Sequence, residues 1–332
     1  MRVLIIGGTG FIGSRVARHL LAGGHTVTVF HRGDTPAPTR VAEVLGTEAH
    51  LGAHAADFAR LSPDVVVNMI LGTEGQARRF VEVFRGVAAR AVVISSMDVY
   101  RAYDRYRRKE PGAPDPVPLS EGAPLRGTRY PYRTADQPDD YDKVLVEDAV
   151  RAEPSLPCTV LRLPMVYGPG DPLHRFYGFI KRMHDRRRAI VLDDGRAGWR
   201  GSYGYVEDVA AAITLATTDP RAAGRTYNVG EREAIATRSW AERLASVVGW
   251  AGGVVTVPRN LLPPSLLADR DYAQDWVVDT SRIRTELGYR EGCTVEQALR
   301  ATVAWEREHP PLAGIPVDEY GAEDAVLRVL NV

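Results

Sequence analysis

Arg2-Val3-Leu4-Ile5-Ile6-Gly7-Gly8-Thr9-Gly10-Phe11-Ile12-Gly13 opens the chain, and its reading decides the fold. The first five residues form a short apolar, β-branched run, which predicts a strand buried on both faces. From Ser14 to Ala22, Val16, Leu20 and Leu21 alternate at helical spacing with Arg15, Arg18 and His19, and Gly23-Gly24 ends that helix. His25 to Phe30 reads as a second strand. The glycines therefore fall where strand becomes helix. Gly8 is expected to permit the tight turn. Gly10 lets the backbone approach a pyrophosphate, and Gly13 lets the helix pack closely on the strand. The phosphates would meet free backbone N–H groups at the helix N-terminus.

A complete G-x-G-x-x-G inside a β-α-β unit predicts a Rossmann dinucleotide site, held by Gly7, Gly8, Thr9, Gly10, Phe11, Ile12 and Gly13. The end of the second strand selects the cofactor. An NAD site wants an acid there to bind the ribose 2′-OH. This chain has Phe30-His31-Arg32-Gly33 instead. Arg32 can hold a 2′-phosphate by charge-assisted hydrogen bonds, with His31 assisting, so NADP is expected over NAD. Asp34 keeps NAD as the alternative.

Composition narrows the class. The 332 residues are 45% hydrophobic and 25% charged, with a formal net charge of zero, so nucleic acid is not an expected partner. Basic runs at Arg105 to Lys109 and Arg186 to Arg188 read as solvated faces. Cys158 and Cys293 are far apart and form no ligand cluster, so no metal is expected. No apolar run is long enough to span a membrane. The chain runs directly into a strand, without a basic start and apolar stretch, so a cytoplasmic location is expected.

Strand-like runs recur at Asp64 to Ile70, Ala91 to Ser96 and Cys158 to Leu163, with a helical stretch around Gln76 to Ala89. This alternation predicts an α/β fold with a doubly wound parallel sheet. Four further segments carry a family resemblance. They are Ser95-Ser96-Met97-Asp98-Val99-Tyr100, Arg162 to Asp171 (containing Val166-Tyr167-Gly168-Pro169-Gly170), Tyr205 to Ala210, and Thr226 to Gly230. With the glycine loop, these resemble an extended short-chain dehydrogenase/reductase of the NAD-dependent epimerase/dehydratase kind. The resemblance implies a Rossmann domain over 1–166 and 204–230, and a smaller, interleaved C-terminal substrate lobe over 167–203 and 231–332. Asp279 to Tyr289 resembles a late helix of the family. Cys293 to Trp305 is read as the final amphipathic helix, stopped by Pro310-Pro311.

The resemblance also implies a catalytic set. A Tyr hydroxyl transfers a proton, a Lys four residues later lowers its pKa and holds the nicotinamide ribose, and a Ser orients the substrate oxygen. Ser96 lies four residues before Tyr100, as the family pattern requires. Lys143 and Glu147 match the family's K-x-x-x-E. The position four before Lys143 is Asp139, not Tyr, and Tyr141 is only two before it. On a regular helix Tyr141 and Lys143 would point about 200° apart. Tyr141 can serve only if the helix begins at about Asp142. Tyr103, Tyr106, Tyr130 and Tyr132, on a long Pro-rich segment from Arg101 to Pro138, are alternative phenols. The expected catalytic residues are Ser96, Tyr141 and Lys143. Ser95, Pro164 and Val166 join Lys143 at the cofactor, and Tyr100, Tyr167, Arg175 and Arg200 at the substrate. The chain is thus expected to be an atypical NADP(H)-dependent oxidoreductase acting on a carbonyl or hydroxyl of a small polar metabolite, as monomer or homodimer. The alternatives are a sugar-nucleotide epimerase or dehydratase with bound NAD(P), and a non-catalytic dinucleotide-sensing or RNA-binding module.

Overall fold

The computed structural model describes residues 1–132, 139–312 and 317–331. Its strands are β1 (Arg2–Ile6), β2 (Thr26–His31), β3 (Ala42–Leu45), β4 (Val65–Asn68), β5 (Arg90–Ser96), β6 (Cys158–Leu163), β7 (Met165–Tyr167), β8 (Ala189–Asp193), β9 (Tyr203–Tyr205), β10 (Thr226–Asn228) and β11 (Gly253–Val257). Its helices are α1 (Gly13–Ala22), α2 (Ala55–Leu61), α3 (Glu74–Phe84), α4 (Arg101–Tyr106), α5 (Lys143–Arg151), α6 (Tyr177–His184), α7 (Asp194–Gly198), α8 (Val206–Thr218), α9 (Thr237–Val248), α10 (Ser281–Leu287), α11 (Val295–Glu308) and α12 (Val317–Val329).

Seven parallel strands form the main sheet in the order β10-β6-β5-β4-β1-β2-β3. Strand residues alternate between two cores, which is why the strands read as continuous apolar runs. Val3, Ile5, Val29, Val67 and Ile94 pack in one core with Val16 and Leu20 of α1 and Val209 and Ile213 of α8. Leu4, Ile6, Val66 and Val93 face the other, with Phe80 and Phe84 of α3 and Val146 and Val150 of α5.

The chain builds β1 to β3 outward, then returns to place β4 on the other side of β1. That reversal is the topological switch point, where ligands of open α/β sheets bind beyond the carboxyl ends of the strands. The glycine loop after β1, Leu71 and Gly72 after β4, and Ser96 at the end of β5 all lie on this edge.

Two small parallel pairs, β7-β9 and β8-β11, lie outside the main sheet. A separate core joins Tyr167, Phe176, Ile180, Leu192, Trp240 and Leu299. The stretch assigned from sequence to the smaller lobe is divided in space, because Ile283, Leu287 and Tyr289 pack into the α1/α8 core of the sheet. α11 is not the final helix. It stops at Glu308 and α12 follows, held to α6 by charge while its Val326 packs with Val257 and Leu262 in a small apolar cluster. Arg182 bonds Glu319 and Glu323, both at 2.7 Å, and Tyr320 bonds Asp185 at 2.7 Å.

Candidate active site

Gly7 has φ +83°, so it, rather than Gly8, carries the left-handed residue of the turn. Gly8 instead packs against Val29, whose methyl groups would lie 2.9 Å from an added Cβ. At Gly13 a Cβ would lie 2.3 Å from the Gly7 carbonyl oxygen, so α1 can approach β1 this closely only with glycine there. At Gly10 a Cβ would meet nothing within 4 Å. The backbone there borders open space at the start of α1. That helix has no acid in its first turn and no side-chain cap, so its positive end is available to an anion. Arg15 holds the loop, donating to the Phe11 and Pro169 carbonyls at 2.6 Å and to Glu207 at 2.8 Å. These features fit a dinucleotide pyrophosphate lying over Gly10.

At the end of β2, His31 and Arg32 separate. His31 is buried, donates from Nε2 to Glu43 at 2.9 Å and accepts the Gly33 N–H at Nδ1. With both ring nitrogens engaged it cannot assist Arg32. The Arg32 side chain is 71% exposed and lies 3.0 Å from Asp34. This surface pair is weak enough for a phosphate to displace.

Beyond β5 lies a dense polar cluster. Ser96 accepts the Asp98 N–H at 3.1 Å. Asp98 is buried, and its Oδ1 has no hydrogen-bond partner among the described residues. Burial raises its carboxyl above the ordinary range, although Arg126, the Tyr132 hydroxyl, Lys143 and Ser96 all pull the other way. Lys143, also buried, donates to the carbonyls of Leu71 and of Ile94, the latter at 3.0 Å. Burial lowers its ammonium to about 8, against the pull of Asp98 and Glu147.

α5 begins at Lys143, with Asp142 as its N-cap in an extended conformation. Tyr141 therefore sits off the helix. It bridges Thr73, lies over Gly72, and its ring centroid is 5.7 Å from the Lys143 Nζ. Tyr132 packs edge-on against Tyr141 at 5.4 Å and lies 5.9 Å from Tyr103. Burial, then Asp98, pushes the phenols of Tyr132 and Tyr141 far up, so both hold their protons. Tyr106 instead stacks on Trp199 at 4.8 Å.

Other expected residues serve the framework. Ser95 donates to Glu147 at 2.6 Å, and Arg162 grips the same carboxylate at 2.9 and 2.7 Å. The K-x-x-x-E and Arg162 segments thus meet as one buried ion pair. Tyr100 is fully buried, donates to Asn228 at 2.6 Å and accepts from Arg162 at 3.0 Å. Tyr167 is equally buried and donates to Glu231 at 2.7 Å. With no free surface, neither tyrosine presents a group to a substrate. Arg200 is paired with Asp275 at 2.6 Å. Arg175 pairs with Asp171 at 2.9 Å and borders a lobe cavity with His174 and Arg182. Pro164 and Val166 are buried beside the end of β6. Asp98 and Arg126 were missed as site residues. Asp98 lies in the Ser95–Tyr100 segment, and an acid two residues after Ser96 was the available signal. Trp276 was missed too. Its indole N–H donates to the Met97 carbonyl at 3.1 Å, covering the turn next to Ser96.

The fold and this edge define a dinucleotide-binding α/β protein with an acid–lysine–tyrosine cluster. The chain belongs to the NAD dependent epimerase/dehydratase family, whose model matches residues 3–230. It is 28% identical over 333 residues to a 3-diazoavenalumate denitrifying reductase of Streptomyces sp, covering 93% of this chain and 97% of that one. It is 27% identical over 340 residues to a dTDP-glucose 4,6-dehydratase of Streptomyces griseus, covering 92% and 94%. Among solved structures, the Bordetella bronchiseptica enzyme WbmG in complex with NAD superposes with a TM-score of 0.69 at 19% identity, covering 93% of this chain and 94% of that one. Among the described residues, no helix is long and apolar enough to cross a membrane.

Proposed function

We propose that this protein is an NADP(H)-dependent reductase acting on a carbonyl of a small polar metabolite. The observation that carries the reading is the convergence of Ser96, Asp98, Tyr132, Tyr141 and Lys143 on the sheet edge that also carries the glycine loop. The similarity to a reductase over nearly the whole chain supports it.

When bound, the dinucleotide supplies a hydride to the substrate carbon. Gly10 and Gly13 would hold its pyrophosphate, Arg32 a 2′-phosphate, and Lys143 the nicotinamide ribose. Ser96 orients the carbonyl oxygen. As negative charge grows on that oxygen, a phenol of the Tyr132–Tyr141 pair gives it a proton. Asp98, whose carboxyl burial shifts toward its protonated form, relays a proton to the phenol. The Lys143 ammonium stabilises the phenolate formed in between. The substrate gains a hydride and a proton, and the carbonyl becomes an alcohol.

The test is nicotinamide absorbance with a panel of aldehydes and ketones, run with NADPH and with NADH. Oxidation of NADPH is expected, with Arg32→Ala weakening NADPH binding ~10-fold or more and leaving NADH nearly unchanged. No cofactor oxidation with any carbonyl would sink the reading. A sugar-nucleotide dehydratase is the second reading, favoured by the full-length similarity to such an enzyme. Retention of oxidised cofactor by the purified protein would support it.

A further inference from the structure

A cavity of about 390 Å³ opens beside the proton-transfer cluster, between α4 and the segment leading to Tyr132. Its volume is at the small end of the range for small-molecule sites, ~300–1,000 Å³. Tyr103 and Tyr132 line it, and Tyr132 also faces Asp98. Arg107, Lys109 and Arg129 line it too. Among the described residues none of these three cations forms an ion pair with a carboxylate, whereas the adjacent Arg105 and Arg108 both do. The Arg129 guanidinium is anchored by the Arg126 carbonyl at 3.2 Å, and Arg107 lies over the Tyr103 ring at 5.7 Å. Among the described residues one acid, Asp104, lines the cavity. It is buried and accepts the Thr128 hydroxyl and N–H, so it leaves the lining with an excess of positive charge. The basic run from Arg105 to Lys109 is thus more than a solvated face.

We infer that this cavity is an anion subsite, and that the substrate carries a carboxylate or phosphate which docks on Arg107, Lys109 and Arg129. Tyr132 lines the cavity and also faces Asp98, so it joins the anion subsite to the cluster beyond β5. As a substrate subsite it rests on the reductase reading. As an anion site it stands on the cavity alone. Small neutral sugars and alcohols lack the group it selects, while short oxo acids and phosphorylated carbonyl compounds have it.

Isothermal titration of the NADPH-saturated protein with methylphosphonate and, separately, with butyrate tests this. Wild type should bind at least one of them, and which one it binds distinguishes phosphate from carboxylate. The R107Q/K109Q/R129Q variant should bind it at least tenfold more weakly, with NADPH affinity unchanged. Arg129→Gln alone, at an exposed position, should show a smaller loss and guards against a folding defect in the triple variant. Arg186→Gln with Arg188→Gln, on a different surface, should have no effect. Binding of neither probe by wild type, equal binding by the triple variant, or an equal loss on changing Arg186 and Arg188 would each overturn the inference. Were NADPH not to bind at all while the anion bound wild type and not the triple variant, the reductase reading would fall and the anion site would stand.

Discussion

Arg126 holds the carboxylate of Asp142 with both terminal nitrogens, at 2.5 and 3.1 Å, and neither side chain is exposed. The same carboxylate accepts the Val144 and Tyr130 N–H groups, each at 3.0 Å. Burial alone would raise this carboxyl, but Arg126 and the two N–H groups outweigh it and hold it below its usual range. One buried acid therefore caps α5 and anchors the segment that delivers Tyr132. Asp142→Ala leaves Arg126 charged and unpaired in the interior, and should destabilise the protein by ~3–5 kcal/mol in urea unfolding. Asp142→Asn, which keeps a capping oxygen, should cost less.

The two phenols should separate kinetically. Tyr132 faces Asp98, Tyr103 and the cavity, whereas Tyr141 is wedged over Gly72. Tyr132→Phe should lower kcat ~100-fold or more while leaving NADPH affinity intact. Tyr141→Phe should have a smaller effect. The reverse order in steady-state kinetics would make Tyr141 the proton donor.

The glycines differ in what a methyl group would meet. Gly10→Ala encounters nothing within 4 Å, so the melting temperature should hold while dinucleotide affinity falls at least tenfold. Gly13→Ala drives a Cβ into the Gly7 carbonyl, so it should lower both, by ~1–3 kcal/mol in stability. Thermal unfolding with and without NADPH separates the two cases.

Lys143 gives opposite pH signatures in activity and in stability. Burial lowers its ammonium to about 8, so the charge that stabilises a phenolate is lost as pH rises through that value, and kcat should fall. Between pH 8 and the unfolded value near 10.5, the unfolded chain holds a proton that the folded one does not. This group's contribution to stability therefore increases with pH over that window. Lys143→Met should abolish the kinetic limb and flatten the stability slope relative to wild type.

Much of the fold was legible because its determinants are local. The β1 run, the glycine spacing and the Gly23-Gly24 stop each act within a few residues. α12 was not legible, because its partners are distant in sequence, Arg182 and Arg187 more than a hundred residues upstream and the apolar Val257 and Leu262. The setting of Tyr100 was not legible for a related reason. Its position in the motif is conspicuous, but its hydroxyl is taken up by Asn228 and Arg162 on neighbouring strands.

The sequence by itself determined the dinucleotide loop, the parallel sheet and the family. Glycine spacing and apolar periodicity act through backbone geometry, which the chain carries locally. It also located the irregularity at Asp139, where a tyrosine would stand four residues before Lys143. Only the tertiary structure decided what surrounds that lysine. Asp98 comes from the turn after β5, Tyr132 from the long segment and Tyr141 from the approach to α5. Their meeting depends on the Arg126–Asp142 pair and on the order of strands in the sheet. Burial then shifts the ionisation of Asp98 and Lys143, because a charge loses its hydration only where many distant residues close around it.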